Sequence, residues 1–212
     1  MAWLADGLWR GIEATYGWCF RLRVVGDPET SILRLGIRHH WGRALTLPDG
    51  ARVRRGDRIA ELHFRNEVMR DLQASAPGPV RALAALRARG LQGLMCLARA
   101  LETDPALKDV QALFGETILW PTIRRLGFWP APLRGPARRR LVSAFQRLLM
   151  RHYSPAGWER LRRLGTTESR ALWISRAHLL RLYGPGSDPQ RRRHPPPRRA
   201  AVPAIPEIRP AA

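Results

Sequence analysis

Between residues 56 and 66 the chain alternates apolar and polar side chains, and this alternation constrains the fold more than any other feature. The segment reads GDRIAELHFRN, and its two-residue period is that of a β-strand. A strand here places Glu61 and His63 side by side on one face, together with Ile59. The opposite face then carries only apolar side chains, which are Ala60, Leu62 and Phe64.

Turn signals before this strand indicate that it pairs with earlier strands. Residues 31–41, SILRLGIRHHW, also alternate, and the sequences PDG at 48–50 and GD at 56–57 are typical of tight turns. Short strands separated by tight turns pair with antiparallel neighbours. We therefore predict a small antiparallel sheet over about residues 31–64.

Most of the remaining chain has helical periodicity. The helices are predicted at 2–18, from an Asn66 N-cap to about residue 75, at about 80–102, after the Asp104-Pro105 step, at 136–152, within AGWERLRRL, and after a Ser175 cap. The segment 115–128 is expected to belong to a helix that Pro121 kinks or ends. WPAPLRGP is predicted as a proline-rich link, and ALWIS as a candidate extra strand.

These elements predict a single α+β domain over residues 1–184, in which five or six of the helices pack against the small antiparallel sheet. From residue 185 the chain is rich in proline and arginine and poor in apolar residues, which predicts a disordered tail over 185–212. Removal of this tail is expected to leave folding intact.

Arginine dominates the charge of the chain. All 37 basic residues except Lys108 are arginine, and the formal net charge is +20. Residues 124–163 hold eleven arginines and one acid, and such a field attracts polyanions. The alternative is a solvated helix face in a chain of arginine-biased composition. The candidate polyanion contacts are Arg138, Arg139, Arg147 and Arg151.

The acid–imidazole pair on the strand is the candidate site. A carboxylate can orient and charge-stabilise an imidazole, so Glu61 and His63 fit general acid–base chemistry, and we expect Glu61 to raise the pKa of His63. The structural alternative is a half-buried histidine whose polar atoms are satisfied by Glu61. Other side chains that would complete a site are Asp57, which fits a turn better, Asn66, Glu116 and Thr117.

Signatures of several enzyme classes are missing from the sequence. It contains no GxSxG, Walker A, GxGxxG or HExxH motif, and Cys19 and Cys96 are isolated thiols. No metal site or cofactor is therefore predicted, and the sequence leaves open whether the chain is an enzyme. The apolar runs are too short to span a bilayer and the start lacks a secretory signal, so we expect a cytoplasmic protein without a transmembrane segment.

Four segments carry a resemblance to a known family. They are DGARVRRGDRIAELHFRN (49–66), GETILWPTIRRLGF (115–128), HYSPAGWERL (152–161) and LWISRAHLLRLYG (172–184). Through them the chain resembles, over about residues 2–184, the YkoP-like domain of Gram-positive, often spore-forming bacteria. Domains of that family occur alone or attached to polysaccharide deacetylases, so the resemblance implies a cell-envelope or spore-wall context and supplies no active site.

We therefore expect a non-catalytic or cryptically catalytic accessory protein of cell-envelope or sporulation polysaccharide metabolism. Its expected partners are a polysaccharide deacetylase or another envelope enzyme, and an anionic polymer, either a glycopolymer or nucleic acid. The alternative function is a basic nucleic-acid-binding protein that uses the arginine-rich helices over 136–163.

Overall fold

The structure is a computed structural model that describes residue 17 and residues 21–163, 165 and 168–187. The predicted helix over 2–18 lies outside the described residues except for Gly17. The predicted tail over 185–212 lies outside them except for its first three residues. Within the described part the fold is α+β, as the sequence predicts.

A mixed sheet of six strands forms the centre of the fold. The described residues form eight strands, six in this sheet and two in a separate hairpin. In chain order they are β1 (Arg23–Val24), β2 (Leu33–His39), β3 (Leu45–Thr46), β4 (Arg52–Val53), β5 (Arg58–Phe64), β6 (Ala112–Thr117), β7 (Trp129–Pro132) and β8 (Arg170–Ser175). The sheet has the order β1-β2-β5-β6-β8-β7, and β3 pairs with β4 in a separate hairpin. The β5–β6 pair is parallel, whereas the other pairs of the sheet are antiparallel.

Six α-helices and two single 3₁₀ turns complete the described residues. The helices are α1 (Asn66–Ser75), α2 (Pro79–Thr103), α3 (Trp120–Ile123), α4 (Pro136–Tyr153), α5 (Pro155–Arg163) and α6 (Arg176–Tyr183), and the turns are Pro105–Leu107 and Arg124–Leu126.

The first face of the sheet belongs to the apolar core. Buried side chains of α2 and α6 pack against every second residue of β2, β5, β6 and β8. Ala60, Leu113 and Ile174, on three of the four inner strands, are fully buried. The predicted strand with one apolar face is therefore confirmed.

The second face of the sheet divides into an apolar end and a charged end. At the apolar end the β3–β4 hairpin packs Leu47 and Val53 against Ile59, in one cluster with Phe114. The ring of Phe114 stacks on Trp173 with 4.9 Å between the ring centroids. This packing covers only one end of the second face, and the charged side chains lie at the other end.

One polar contact, between an exposed aspartate and a buried serine, fixes the hairpin to the sheet. Asp49 in the hairpin turn accepts a hydrogen bond from the hydroxyl of Ser175, which lies at the end of β8. The same hydroxyl accepts the backbone N–H of His178 at 2.9 Å and so caps α6, as the sequence predicts. A single side chain therefore links the hairpin turn, the sheet and the last helix.

The sheet extends beyond the predicted range of 31–64 and is mixed, not purely antiparallel. Residues 112–117 form β6 and not a helix, because their side chains alternate between the two faces of the sheet, with Leu113 in the first cluster and Phe114 in the second. The proline-rich link contains β7, whose prolines are tolerated because it is an edge strand and needs no complete hydrogen-bond ladder.

The N-cap prediction for the first described helix is wrong. Asn66 is the first residue of α1, and the cap position is taken by Arg65 in an extended conformation. Asparagine is a preferred N-cap residue, but the chain turns into the helix one residue earlier. By contrast, Asp104 accepts the N–H of Ala106 at 2.8 Å, so the predicted Asp104 cap is confirmed, although it begins a single 3₁₀ turn.

Two helices also present faces that differ from the predicted ones. On α2, Leu83 and Met95 are exposed, although their helical spacing with the other leucines predicts that they lie on the buried side of the helix. On α4, Leu141 is 71 % exposed, whereas the side chain of Gln146 faces the sheet and donates a hydrogen bond to the carbonyl of Glu116 at 2.6 Å. Backbone groups at the end of β6 need polar partners, and an amide supplies them where a leucine cannot.

Candidate functional site

The charged end of the second sheet face is built around β5. Glu61 and His63 lie on this face, as predicted, and β2 pairs with β5 so that Arg34 is opposite His63 and Gly36 is opposite Glu61. Arg38 lies two residues beyond Gly36 on the same face. The strand register therefore brings two arginines beside the acid–imidazole pair.

Glu61 forms a short ion pair with one of these arginines. Arg38 Nη1 donates to Glu61 Oε2 at 2.6 Å, and the Arg38 guanidinium lies 4.8 Å from the centroid of the Phe114 ring. Phe114 is itself stacked on Trp173, so the apolar end of the face holds the guanidinium in place. Glu61 is 8 % exposed, whereas the Arg38 side chain is 47 % exposed and reaches solvent.

Burial controls the protonation of both strand residues. Burial raises the pKa of Glu61 above its ordinary value of 4.5, and Arg38 opposes this shift without cancelling it. Burial, followed by the charges of Arg38 and Arg34, lowers the pKa of His63 from 6.5 to about 4. At neutral pH the imidazole is therefore neutral.

The prediction that Glu61 raises the pKa of His63 is wrong. The closest approach between them, from His63 Nε2 to Glu61 Oε1, is 3.6 Å, which is too long for a hydrogen bond. The carboxylate of Glu61 is engaged by Arg38 instead. Two cations and a buried position outweigh one partly neutralised acid, and only the cross-strand pairing brings those cations close.

Glu116 joins this end of the sheet from β6. Glu61 pairs with Phe114 in the parallel β5–β6 ladder, and Glu116 is two residues further along, on the same face. Arg138 at the start of α4 donates two hydrogen bonds from Nη2 to the carboxylate of Glu116, at 2.7 and 2.9 Å. Both Glu116 and Arg138 act on the pKa of Glu61, with opposite signs.

We call these six residues the charged cluster. Its members come from four separate elements and are Arg34, Arg38, Glu61, His63, Glu116 and Arg138. Helix α1 braces one side of the charged cluster, because Glu67 accepts a hydrogen bond from Arg34 at 2.8 Å and another from Arg65 at 3.1 Å. The cluster thus contains two acids and three guanidiniums, with one neutral imidazole among them.

The remaining predicted site residues lie elsewhere. Asp57 precedes β5 at the opposite end of the strand, where its carboxylate accepts the backbone N–H of Arg54 at 2.6 Å in a turn. Thr117 lies on the same sheet face as Leu113, and its hydroxyl accepts the N–H of Leu119 at 3.0 Å. Asn66 follows β5 as the first residue of α1. Asp57 therefore has the turn role that its sequence context favours.

The four predicted polyanion contacts do not share one surface of α4. Arg138 is neutralised by Glu116, and Arg139 is half-buried. Arg147 lies nine residues after Arg138, about two and a half turns further on and thus on the opposite side of the helix. Arg151 shares the side of Arg147, and its guanidinium lies 5.0 Å from the centroid of the Trp158 ring.

Arg34 and Arg38 are the site residues that sequence reasoning missed. Their signal is present in SILRLGIRHHW, where Arg34, Gly36 and Arg38 occupy alternate positions of a strand. The apolar members of that alternation predicted the strand correctly. The role of the polar members becomes apparent only when β2 is placed beside β5, because this pairing brings the two arginines next to Glu61 and His63.

The cluster combines hydrogen-bond acceptors and donors that reach solvent. Two carboxylates and a neutral imidazole accept hydrogen bonds, whereas the half-exposed guanidiniums of Arg38 and Arg138 donate them. Among the described residues no group of three or more histidine, cysteine or acidic side chains is arranged to hold a metal ion. In the same part of the chain, no helix has the length and apolar character needed to cross a membrane.

The similarity of this chain to known proteins extends over most of its length. A family model described as YkoP domain matches residues 4–183. A protein of Bacillus subtilis (strain 168), named Uncharacterized protein YkoP, is 25 % identical over 122 residues, which cover 57 % of this chain and 66 % of that protein. The match thus spans slightly less than two thirds of the relative. No solved structure matches the chain.

Proposed function

Because the chain belongs to the YkoP domain family, we propose that it is a non-catalytic or cryptically catalytic accessory protein of cell-envelope or sporulation polysaccharide metabolism. In this proposal the charged cluster binds a glycan segment of the envelope. A polysaccharide deacetylase or another envelope enzyme is the proposed protein partner, and the cytoplasm is the proposed location.

The observation that supports a binding site is the pair of shifted pKa values, raised for Glu61 and lowered for His63. The fold holds an ionisable acid with a raised pKa beside an imidazole with a lowered pKa, and both shifts arise mainly from burial. Groups held in this way reduce stability when they carry charge, and such arrangements concentrate at functional sites. Arg38 and Arg138, each about half exposed, connect the buried groups to solvent.

The chemistry of the charged cluster suits sugar hydroxyls. Each hydroxyl both donates and accepts a hydrogen bond, so it is satisfied by a carboxylate on one side and a guanidinium on the other. Glu61 with Arg38, and Glu116 with Arg138, provide this combination twice. Neutral His63 adds an acceptor or a donor according to its tautomer.

Titration calorimetry of the full chain with soluble envelope glycans tests the proposal. The probes are N-acetylglucosamine oligomers, their deacetylated counterparts and muropeptides. We expect one class to bind, and Glu61→Gln and His63→Gln each to weaken binding at least about tenfold, since each loses a hydrogen bond made in a partly desolvated site. Arg87→Gln, an exposed arginine on α2, serves as the control and should bind as the parent does.

Two results would contradict this function. One is the absence of binding to every glycan class although circular dichroism shows that the chain is folded. The other is binding that Glu61→Gln and His63→Gln leave unchanged, because the glycan would then occupy another surface.

A second candidate, nucleic-acid binding, rests on a different face of α4. Arg140, Arg147 and Arg151 are spaced i, i+7 and i+11 and therefore share one side of the helix, which Arg138 does not. A gel shift with duplex and single-stranded DNA tests it. Binding by the parent should weaken with salt, with about 0.9 in the log–log slope for each phosphate contact, and replacing these three arginines by glutamate should abolish binding. Arg138→Glu is the matched comparison, and an equal loss there would count against this surface.

A further inference from the structure

The loop between β2 and β3 carries a highly exposed aromatic side chain. Trp41 is 72 % exposed. The Arg55 guanidinium lies 5.8 Å from the ring centroid, and the His39 ring lies tilted at 6.3 Å. His39 Nδ1 also lies 2.9 Å from the carbonyl oxygen of Gly56, which joins this loop to the turn before β5.

Four arginines whose guanidiniums have no acidic partner among the described residues lie in this loop or next to it. Arg43 belongs to the same loop, Arg54 and Arg55 to the adjoining turn, and all are exposed. Arg134 lies against the loop, since a Cβ placed on Gly42 would be 3.2 Å from its Nη1. In the part of the chain that the structure describes, none of these four guanidiniums forms an ion pair.

We propose that this surface, the Trp41 loop with Arg43, Arg54, Arg55 and Arg134, docks the protein onto an anionic phospholipid membrane. Tryptophan partitions to the membrane interface, where the ring is buried among headgroups and its N–H remains hydrated. Guanidiniums bind lipid phosphates, and unpaired ones attract an anionic leaflet. One apolar anchor combined with a polybasic patch is the combination that holds a protein on such a surface.

The same residues fit a nucleic acid less well. Proteins that bind single strands use several aromatic platforms along a basic groove, and each base needs a free ring face. Here one face of the indole is occupied by Arg55. Among the described residues the other exposed large aromatic side chain, Phe145, belongs to α4 and not to this loop.

Co-sedimentation of the full chain with vesicles tests the proposal. The vesicles are phosphatidylcholine alone and phosphatidylcholine with phosphatidylglycerol. We expect sedimentation with the anionic vesicles only, weakened by added salt. Trp41→Ala should reduce the apparent affinity about tenfold, and Arg43→Gln, Arg54→Gln and Arg55→Gln combined should reduce it by about fivefold for each arginine.

Matched variants separate this surface from the overall charge. Leu141→Ala removes a side chain of similar exposure, and Arg81→Gln, Arg87→Gln and Arg99→Gln combined remove the same charge from α2. Both controls should bind vesicles as the parent does. Equal loss in the controls, equal binding to both vesicle types, or capture of oligo-dT through Trp41 without vesicle binding would each overturn the proposal. None of these outcomes bears on glycan binding at the charged cluster.

Discussion

The two faces of the six-stranded sheet bury neighbouring residues of the same strand, with opposite effects on stability. On β5, Ala60 is completely buried against α2 and α6, and the adjacent Glu61 is 8 % exposed on the other face. Apolar burial contributes about 25 cal/mol for each Å² removed from water, whereas burial of a charge costs free energy even when the charge is paired. The first face therefore stabilises the fold, whereas the charged end of the second face holds groups that reduce stability.

This difference explains why the charged cluster is the better candidate for function. Nothing in the packing of the first face requires Glu61 or His63, because the core is closed by α2 and α6 on the other side. The second face is apolar where the hairpin covers it and charged where Glu61, His63 and Glu116 lie. Buried polar groups kept at a cost are expected at sites that act on a ligand.

The largest effect should come from the first face. Leu113→Ala removes a fully buried side chain at the centre of the sheet, so we expect the free energy of unfolding to fall by about 2–5 kcal/mol. Urea denaturation measures it. Leu148→Ala, which truncates an exposed leucine on α4, should change stability by less than about 0.5 kcal/mol. A small effect at Leu113 would show that the first face is not the stabilising one.

The next largest effect should be the acid sensitivity of His63. The pKa of His63 is lowered from 6.5 to about 4. Between these pH values the unfolded chain therefore binds a proton at His63 that the folded chain does not bind. Stability from neutral His63 is therefore lost as the pH falls from 6.5 to 4, by on the order of 3 kcal/mol. The free energy of unfolding of His63→Gln should therefore fall by on the order of 3 kcal/mol less than that of the parent over the same pH interval. If the two proteins instead lost equal stability, the burial of His63 would not be the cause of the acid sensitivity.

A smaller effect is expected where the hairpin meets the second face. Asp49→Ala leaves the hydroxyl of Ser175 without the carboxylate that it contacts, and Ser175 is buried. We expect a loss of about 1–2 kcal/mol in thermal or urea unfolding. Asp71→Ala, at an exposed position on α1, is the matched control and should be nearly neutral. An equal response of the two variants would mean that the hairpin is held by its apolar contacts alone.

The smallest effect, and the sharpest contrast with Leu113, is expected at Glu61. Because burial raises the pKa of Glu61, the folded state is less stable when this carboxylate is ionised. Glu61→Gln should therefore leave stability at pH 7 within about 1 kcal/mol of the parent, or raise it. The advantage should shrink as the pH falls and the parent carboxylate is protonated. A loss comparable to that of Leu113→Ala would identify Glu61 as a structural residue.

Much of the fold follows from local periodicity. The alternation over 58–64 predicted which side chains share a face, the apolar period over 80–102 predicted α2, and Ser175 predicted the cap of α6. These features depend on residues close in sequence, whose geometry is dictated by the strand or helix itself. Glu61, His63 and Glu116 were all candidates before their positions were known.

What the sequence by itself determined, then, is the set of chemical groups and the elements that carry them. The tertiary structure decided which groups meet. Arg34 and Arg38 reach His63 and Glu61 through pairing between strands that are distant in sequence, and β6 entered the sheet although a helix was predicted there. That pairing reversed the expected pKa shift of His63, because burial and the number of nearby charges are properties of the packed chain and not of any short segment.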